Sequence, residues 1–176
     1  MHSTVRIVDD AGNVCAPNVP GEIQFKGAAI TPGYWNNPEA NKKSFVDGWF
    51  KSGDIGRMNE NGYVYIEDRV KDMYISGGEN VYPAEIENLL YQMPQIVEVA
   101  VIGVTDEKFG ETGCVCAVVK KGESLSLDDV LSHVDGKLAT FKKPKYLHHL
   151  NELPRGGTGK VLKFELRKSV PPLIGL

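Results

Sequence analysis

The spacing of apolar residues changes once along this chain, near residue 70, and that change constrains the fold more than any other feature. Before it, apolar and polar residues alternate with a period of two. Val5-Arg6-Ile7-Val8-Asp9 and Glu22-Ile23-Gln24-Phe25-Lys26 both read as strands, the second bounded by Gly21 and Gly27. Asp10-Ala11-Gly12-Asn13 has turn composition. Asn59-Glu60-Asn61-Gly62 predicts a hairpin between Ile55–Met58 and Tyr63–Ile66. One short helix is expected over Pro38–Ser44, with Asn37 as its cap and Pro38 at its first position. A small, strongly bent, barrel-like sheet accounts for this half.

After Asp72 helical spacing appears. Ile86, Leu89, Leu90 and Met93 lie on one helical face over Pro83–Met93, and Pro83, Glu85 and Glu87 suit a helix N-terminus. Val97–Val104 and Cys114–Val119 have strand length. Ser126 and Asp129 form a capping-box pattern before Leu127, Val130, Leu131, Val134 and Leu138, with Gly136 weakening the far end. Tyr146–Leu150 reads as a third strand and Val161–Lys168 as a final helix stopped by Pro171-Pro172. Mixed α and β structure follows: a small β-barrel-like subdomain, then a compact α/β or α+β domain. The boundary falls near Arg69 to Asp72, dividing the chain into 1–70 and 71–176. The charged run Glu67-Asp68-Arg69-Val70-Lys71-Asp72 there reads as a solvated loop.

Composition excludes several classes. With a net charge of −3 there is no basic excess for nucleic acid, and no apolar run is long enough for a transmembrane helix. No signal-peptide pattern precedes the first strand. Cys15, Cys114 and Cys116 have no framework spacing, so a reducing cytoplasm is the expected setting. Cys114 and Cys116 share a strand face and read as small buried residues. His148 and His149 point to opposite faces of a strand, which argues against a shared metal, and no metal site is expected.

Three stretches have compositions that packing does not explain. In Asp47-Gly48-Trp49-Phe50-Lys51-Ser52-Gly53-Asp54-Ile55-Gly56, an ionised carboxylate on a tight Gly-rich turn can accept both hydroxyls of a ribose. An ordinary turn Asp is the plainer alternative. In the run from Asp68 to Pro83, Gly77-Gly78 lets a backbone approach a ligand, and Arg69 supplies a fork of donors. A turn entering a helix would explain the glycines and Pro83 but not the whole string. In Leu153-Pro154-Arg155-Gly156-Gly157-Thr158-Gly159-Lys160-Val161-Leu162, the spacing departs from the phosphate loop G-x-x-x-x-G-K-S/T, because Val161 follows Lys160 and no Gly lies five residues before Gly159. What remains is a flexible Gly-rich loop presenting one lysine, able to neutralise charge developing between a carboxylate and an α-phosphate.

In this order the three stretches resemble the adenylate-forming superfamily of acyl- and aryl-CoA synthetases, luciferases and adenylation domains. Pro32-Gly33-Tyr34-Trp35-Asn36-Asn37-Pro38-Glu39 and Phe141-Lys142-Lys143-Pro144-Lys145 add to the resemblance, which runs from about Val5 to Lys168. It implies the last β-rich part of a large N-terminal domain followed by a mobile C-terminal domain. It implies ribose contacts from Asp54 and Arg69, a hinge at Lys71, a pantetheine tunnel lined by Gly77 and Gly78, and an adenylation lysine at Lys160. ATP/AMP and CoA are the implied nucleotide and thiol, and a small carboxylic acid the implied substrate. Mg²⁺ is expected with ATP, but the Ser/Thr/Gly-rich phosphate loop and the Thr-Glu motif that help hold it have no counterpart here, so an N-terminal domain is the implied partner. Ser76 to Pro83 most resembles fatty-acyl and related CoA ligases. A non-catalytic AMP- or partner-binding module and a luciferase-type oxidative member are the alternatives. The tail, Val170 to Leu176, carries no peroxisomal ending.

Overall fold

The structure, a computed structural model, describes residues 3–170. The chain divides into two compact units, Met1–Lys71 and Asp72–Leu176. The first carries one antiparallel five-stranded sheet. Its strands are β1 (Ser3–Val8), β2 (Gly21–Gly27), β3 (Phe45–Val46), β4 (Trp49–Met58) and β5 (Val64–Arg69), in the order β1-β2-β4-β3 with β5 on β4. The sheet curls into a half barrel around a small core of Ile7, Val8, Ile23 and Ile55. Helix α1 (Pro38–Ser44) starts where the sequence places it, with the Asn37 side chain accepting from the Ala40 N–H.

Two features of this unit differ from the sequence reading. The two-residue hairpin β3–β4 turns on Asp47 and Gly48, both at positive φ (50° and 79°), which is what a type I′ turn demands. The charged run at the junction is not all loop, because Glu67, Asp68 and Arg69 belong to β5. Their charges are tolerated because they pair across the ladder: Glu67 lies 2.7 Å from Arg57, and Arg69 faces Asp54.

In the second unit, β6 (Tyr74–Ser76) and β7 (Glu79–Val81) form a hairpin, followed by α2 (Pro83–Leu90). A long antiparallel ribbon, β8 (Ile96–Asp106) and β9 (Gly110–Val119), is the longest pairing of the sheet, with β9 inside and β8 on its edge. Helix α3 (Leu127–Val134) and β10 (Tyr146–His149) follow, with β10 parallel to β9, and α4 (Lys163–Ser169) comes last. Both faces of the ribbon are buried by alternate residues. Val99, Val101, Val115 and Ala117 pack with Ile86 and Leu90 of α2 and Val130 and Val134 of α3. Ala100, Ile102, Cys114 and Cys116 pack with Leu153 and with Leu166 of α4. Each such fully buried aliphatic side chain contributes roughly 1.5–3 kcal/mol.

Helix α2 ends at Leu90 rather than Met93, yet Met93 stays buried because the chain turns back on itself through its N–H to the Leu90 carbonyl. Helix α3 has the full capping box of Ser126 and Asp129 and stops at Val134, where Asp135 is extended and Gly136 takes φ 70°. Pro171-Pro172, read as the stop of the last helix, lies outside the described residues. Within the described residues α4 ends at Ser169, and Val170 is extended. Tyr74 crosses the ribbon where two glycines pair, Gly103 and Gly113. A Cβ at Gly103 would lie 2.4 Å from the Tyr74 Cβ, and one at Gly113 2.6 Å from its hydroxyl. The outer side of β8 meets side chains of α2 and of Tyr91, which caps its C-terminus. Glu87 Oε1 accepts from the Val101 N–H at 2.7 Å, and the Tyr91 hydroxyl donates to the Val99 carbonyl at 3.2 Å.

Candidate active site

Asp54 sits within β4, not on a turn as its glycine neighbours led one to expect. Gly53 (φ 74°) and a pairing irregularity between Ile55 and Gly56 bend the strand while the ladder continues. Bulges of this kind re-aim side chains. Asp54 pairs with Arg69 across β4 and β5, its Oδ1 3.6 Å from the guanidinium Nε. The Ser52 hydroxyl accepts from the Asp54 N–H at 3.0 Å, and the Gly53 carbonyl accepts from the Val70 N–H at 3.0 Å. A carboxylate beside a guanidinium on a half-exposed face offers acceptors next to donors. That combination suits a vicinal diol, whose hydroxyls do both. Lys71 is exposed and ends the first unit.

In the second unit, Gly77 and Gly78 are the two central residues of the β6–β7 turn. Both lie at positive φ, 62° and 89°, so the turn requires glycine-like backbone whatever else it does. The Gly77 N–H donates to the Phe109 carbonyl at 2.9 Å, and its Cα faces the Phe109 ring. Beside it, Asp106 receives the Lys145 ammonium at 2.7 Å. That contact, joined by the Phe109 and Lys108 N–H groups, holds the Asp106 carboxyl below its ordinary range.

Lys160 lies on a small hairpin between β10 and α4, within the Gly-rich stretch that the sequence singles out. Arg155 and Val161 pair as an antiparallel bridge, the Leu162 N–H donates to the Pro154 carbonyl at 2.8 Å, and the Gly156 N–H donates to the Lys160 carbonyl at 2.9 Å. Gly157 and Thr158 form the turn, closed by the Gly159 N–H on the Gly156 carbonyl, and Gly159 takes φ 77°. Glycine there supplies the left-handed residue that a three-residue hairpin loop needs. The Lys160 side chain is exposed and, among the described residues, has no hydrogen-bond or ion-pair partner. Arg155 reaches Glu98 of β8, 57 positions away, a contact with no local trace in the sequence.

Gly77 docks at the Gly110 end of the β8–β9 ribbon, and Arg155 at Glu98, which lies opposite Val118 near the other end. At about 3.4 Å per residue, roughly 27 Å of strand separates these two positions. The glycine turn and the lysine hairpin therefore belong to opposite ends of the same unit. Asp54 and Arg69 are brought together in the other.

Among the described residues, no group of three or more His, Cys, Asp or Glu is placed to hold a metal ion, and no helix is long and apolar enough to cross a membrane. Cys114 and Cys116 are fully buried. The Cys114 thiol is pushed up by its hydrogen bond to Cys116 and by burial.

Residues 85–160 match the family described as AMP-binding enzyme C-terminal domain. The chain is 44% identical over 169 residues to an indoleacetate–CoA ligase of Aromatoleum aromaticum, covering 96% of this chain and 33% of that protein. Among solved structures, ATP-bound MatB from Rhodopseudomonas palustris superposes with a TM-score of 0.87 at 42% identity, over 94% of this chain and 33% of that one. The o-succinylbenzoate CoA synthetase MenE of Bacillus subtilis, in complex with its acyl-adenylate, gives 0.85 at 36% identity, over 94% of this chain and 34% of that one. The chain thus spans about a third of the length of the relatives it matches. Residues 85–160 carry the match to the AMP-binding enzyme C-terminal domain, and the likeness extends well before that domain, over the C-terminal third of acyl- and aryl-CoA ligases.

Proposed function

We propose that this chain is the C-terminal portion of an AMP-forming acid–thiol ligase that joins a fatty or aryl carboxylic acid to CoA. In the first half-reaction a carboxylate oxygen attacks the α-phosphorus of ATP and pyrophosphate leaves. Asp54 and Arg69 hold the ribose, and the Lys160 ammonium neutralises charge that grows between the carboxylate and the α-phosphate. In the second, the CoA thiol attacks the acyl carbon, AMP leaves, and Gly77-Gly78 lines the path of the pantetheine arm. Lys71 is the hinge between the two arrangements. Mg²⁺ is expected with ATP, on ligands outside this chain. The free cysteines Cys15, Cys114 and Cys116 support a reducing cytoplasm as the setting.

One observation carries this reading. The glycine turn and the lysine hairpin lie at opposite ends of one ribbon, so a single rigid unit cannot present both to the same atoms at once. A two-step reaction served in turn by a rotating domain uses both ends. The test is a ligase made by joining this chain to the N-terminal two thirds of a relative. Lys160→Ala should abolish most pyrophosphate release while leaving thioester formation from supplied acyl-adenylate near its original rate. Equal loss in both half-reactions would overturn the assignment of Lys160.

A further inference from the structure

We propose that Arg155, acting with Glu98, is a positioning residue for Lys160. The inference rests on the reading of Lys160 as the adenylation lysine.

The exposed Lys160 side chain has no hydrogen-bond or ion-pair partner among the described residues, so its placement depends on its backbone. The turn that carries it offers little packing: Gly157 and Gly159 have open space where a Cβ would stand, and Gly156, Gly157 and Gly159 contribute no side chain. Arg155 supplies what packing does not. Its NH1 donates to the Gly159 carbonyl at 2.7 Å, and its NH2 pairs with the Glu98 carboxylate on β8.

The Gly159 carbonyl belongs to the same planar peptide unit as the Lys160 nitrogen and Cα. Holding that oxygen therefore fixes one side of the lysine. The Gly156 N–H holds the Lys160 carbonyl on the other side at 2.9 Å. Both peptide planes flanking Lys160 are set, and only its side-chain torsions stay free. Downstream the hairpin is anchored separately, by Val161 packing on the buried cluster and by Lys163, whose ammonium lies 2.7 Å from Glu87.

Arg155 can serve two acceptors on different elements because its guanidinium is a rigid fork; a lysine ammonium lacks that span. Its side chain is 43% exposed, and surface ion pairs of this kind add about 0–1 kcal/mol to global stability. Glu98 also cancels the Arg155 charge, leaving Lys160 as the uncompensated cation of the hairpin.

Two measurements decide the role of Arg155. The first is amide hydrogen exchange by NMR on this chain. In Arg155→Ala and Glu98→Gln, the Gly156 and Gly159 amides should exchange on the order of tenfold faster, as expected for losing a charge-assisted hydrogen bond. Those of Val101 and Val115 should not change. The second uses the joined ligase. Both variants should lower kcat for adenylation by about tenfold with KM for ATP unchanged, and spare thioester formation from supplied adenylate. Arg155→Lys should not rescue, and Arg155→Ala should add nothing to Lys160→Ala. Unchanged exchange at Gly156 and Gly159, or equal slowing of both half-reactions, would overturn the role of Arg155. If Lys160→Ala leaves adenylation intact, the assignment of Lys160 fails instead, and the exchange experiment still decides whether Arg155 holds the hairpin.

Discussion

Asp54 and Arg69 face each other across the last rungs of the β4–β5 ladder, carboxylate Oδ1 to guanidinium Nε at 3.6 Å. The pair is half exposed, so its own contribution to stability is small, about 0–1 kcal/mol. Its disruption should therefore show in nucleotide binding rather than in folding. In the joined ligase, Asp54→Asn should raise KM for ATP by roughly tenfold, through loss of a charged acceptor for ribose. The melting temperature of the isolated chain should shift by less than about 3 °C. A large fall in melting temperature with KM unchanged would make the pair structural.

Gly77 and Gly78 separate backbone demand from space. Both sit at positive φ, so alanine at either costs about 1–2 kcal/mol. Only at Gly77 would the new Cβ meet a neighbour, Phe109 Cδ1 at 3.1 Å. Urea unfolding should find Gly77→Ala less stable than Gly78→Ala. In the joined ligase both should slow thioester formation more than adenylation.

Lys71 stands two residues after the end of β5 and closes the first unit. Lys71→Pro locks φ near −65°. If rotation about this residue separates the half-reactions, the variant should form acyl-adenylate and release thioester several-fold more slowly. An unaffected second step in single-turnover assays would remove Lys71 as the hinge.

Glu87 accepts from both Lys163 and the Val101 N–H, and both charged side chains are largely buried, at 16% and 12% exposure. Removing one partner leaves the other charge unpaired, at a cost of roughly 3 kcal/mol. Glu87→Ala should lose about that much in urea unfolding. Glu87→Gln keeps an acceptor for Val101 and should lose less.

Asp106 gives the chain an acid-sensitive point. Its carboxyl is held below the ordinary 3.8, first by the Lys145 ammonium and then by the Phe109 and Lys108 N–H groups. A carboxyl depressed in the folded state stabilises the fold above its unfolded value, and that contribution is lost as pH falls through the folded value. Stability should drop below about pH 4, and Asp106→Asn should flatten that drop. A curve of unchanged shape would show that other carboxyls govern it.

Elements with local chemistry were legible in the sequence. Asn37 with Pro38 marks the start of α1, the Ser126–Asp129 box marks α3, and Asn59 to Gly62 marks the β4–β5 turn. What stayed hidden depends on distant pairing. The charges of Glu67 and Arg69 read as loop because their partners Arg57 and Asp54 stand on another strand. The β6–β7 hairpin has strands of three residues, too short for alternation to register. Asp54 and Arg69 could be named one by one, but not as a facing pair. The glycines around Lys160 speak of freedom, while the hydrogen bonds and Arg155 that withdraw it come from backbone geometry and from β8.

The α2 side chains along the outer side of β8 carry one more consequence. An eleven-residue strand rich in Val and Ile, with free amides along its flank, would be a template on which a second chain could add and propagate. With the Val101 amide given to Glu87 and the Val99 carbonyl engaged by Tyr91, that flank has no open rungs at these positions to recruit a stranger. The contacts that seat a helix on its sheet thus also guard the protein against its own aggregation.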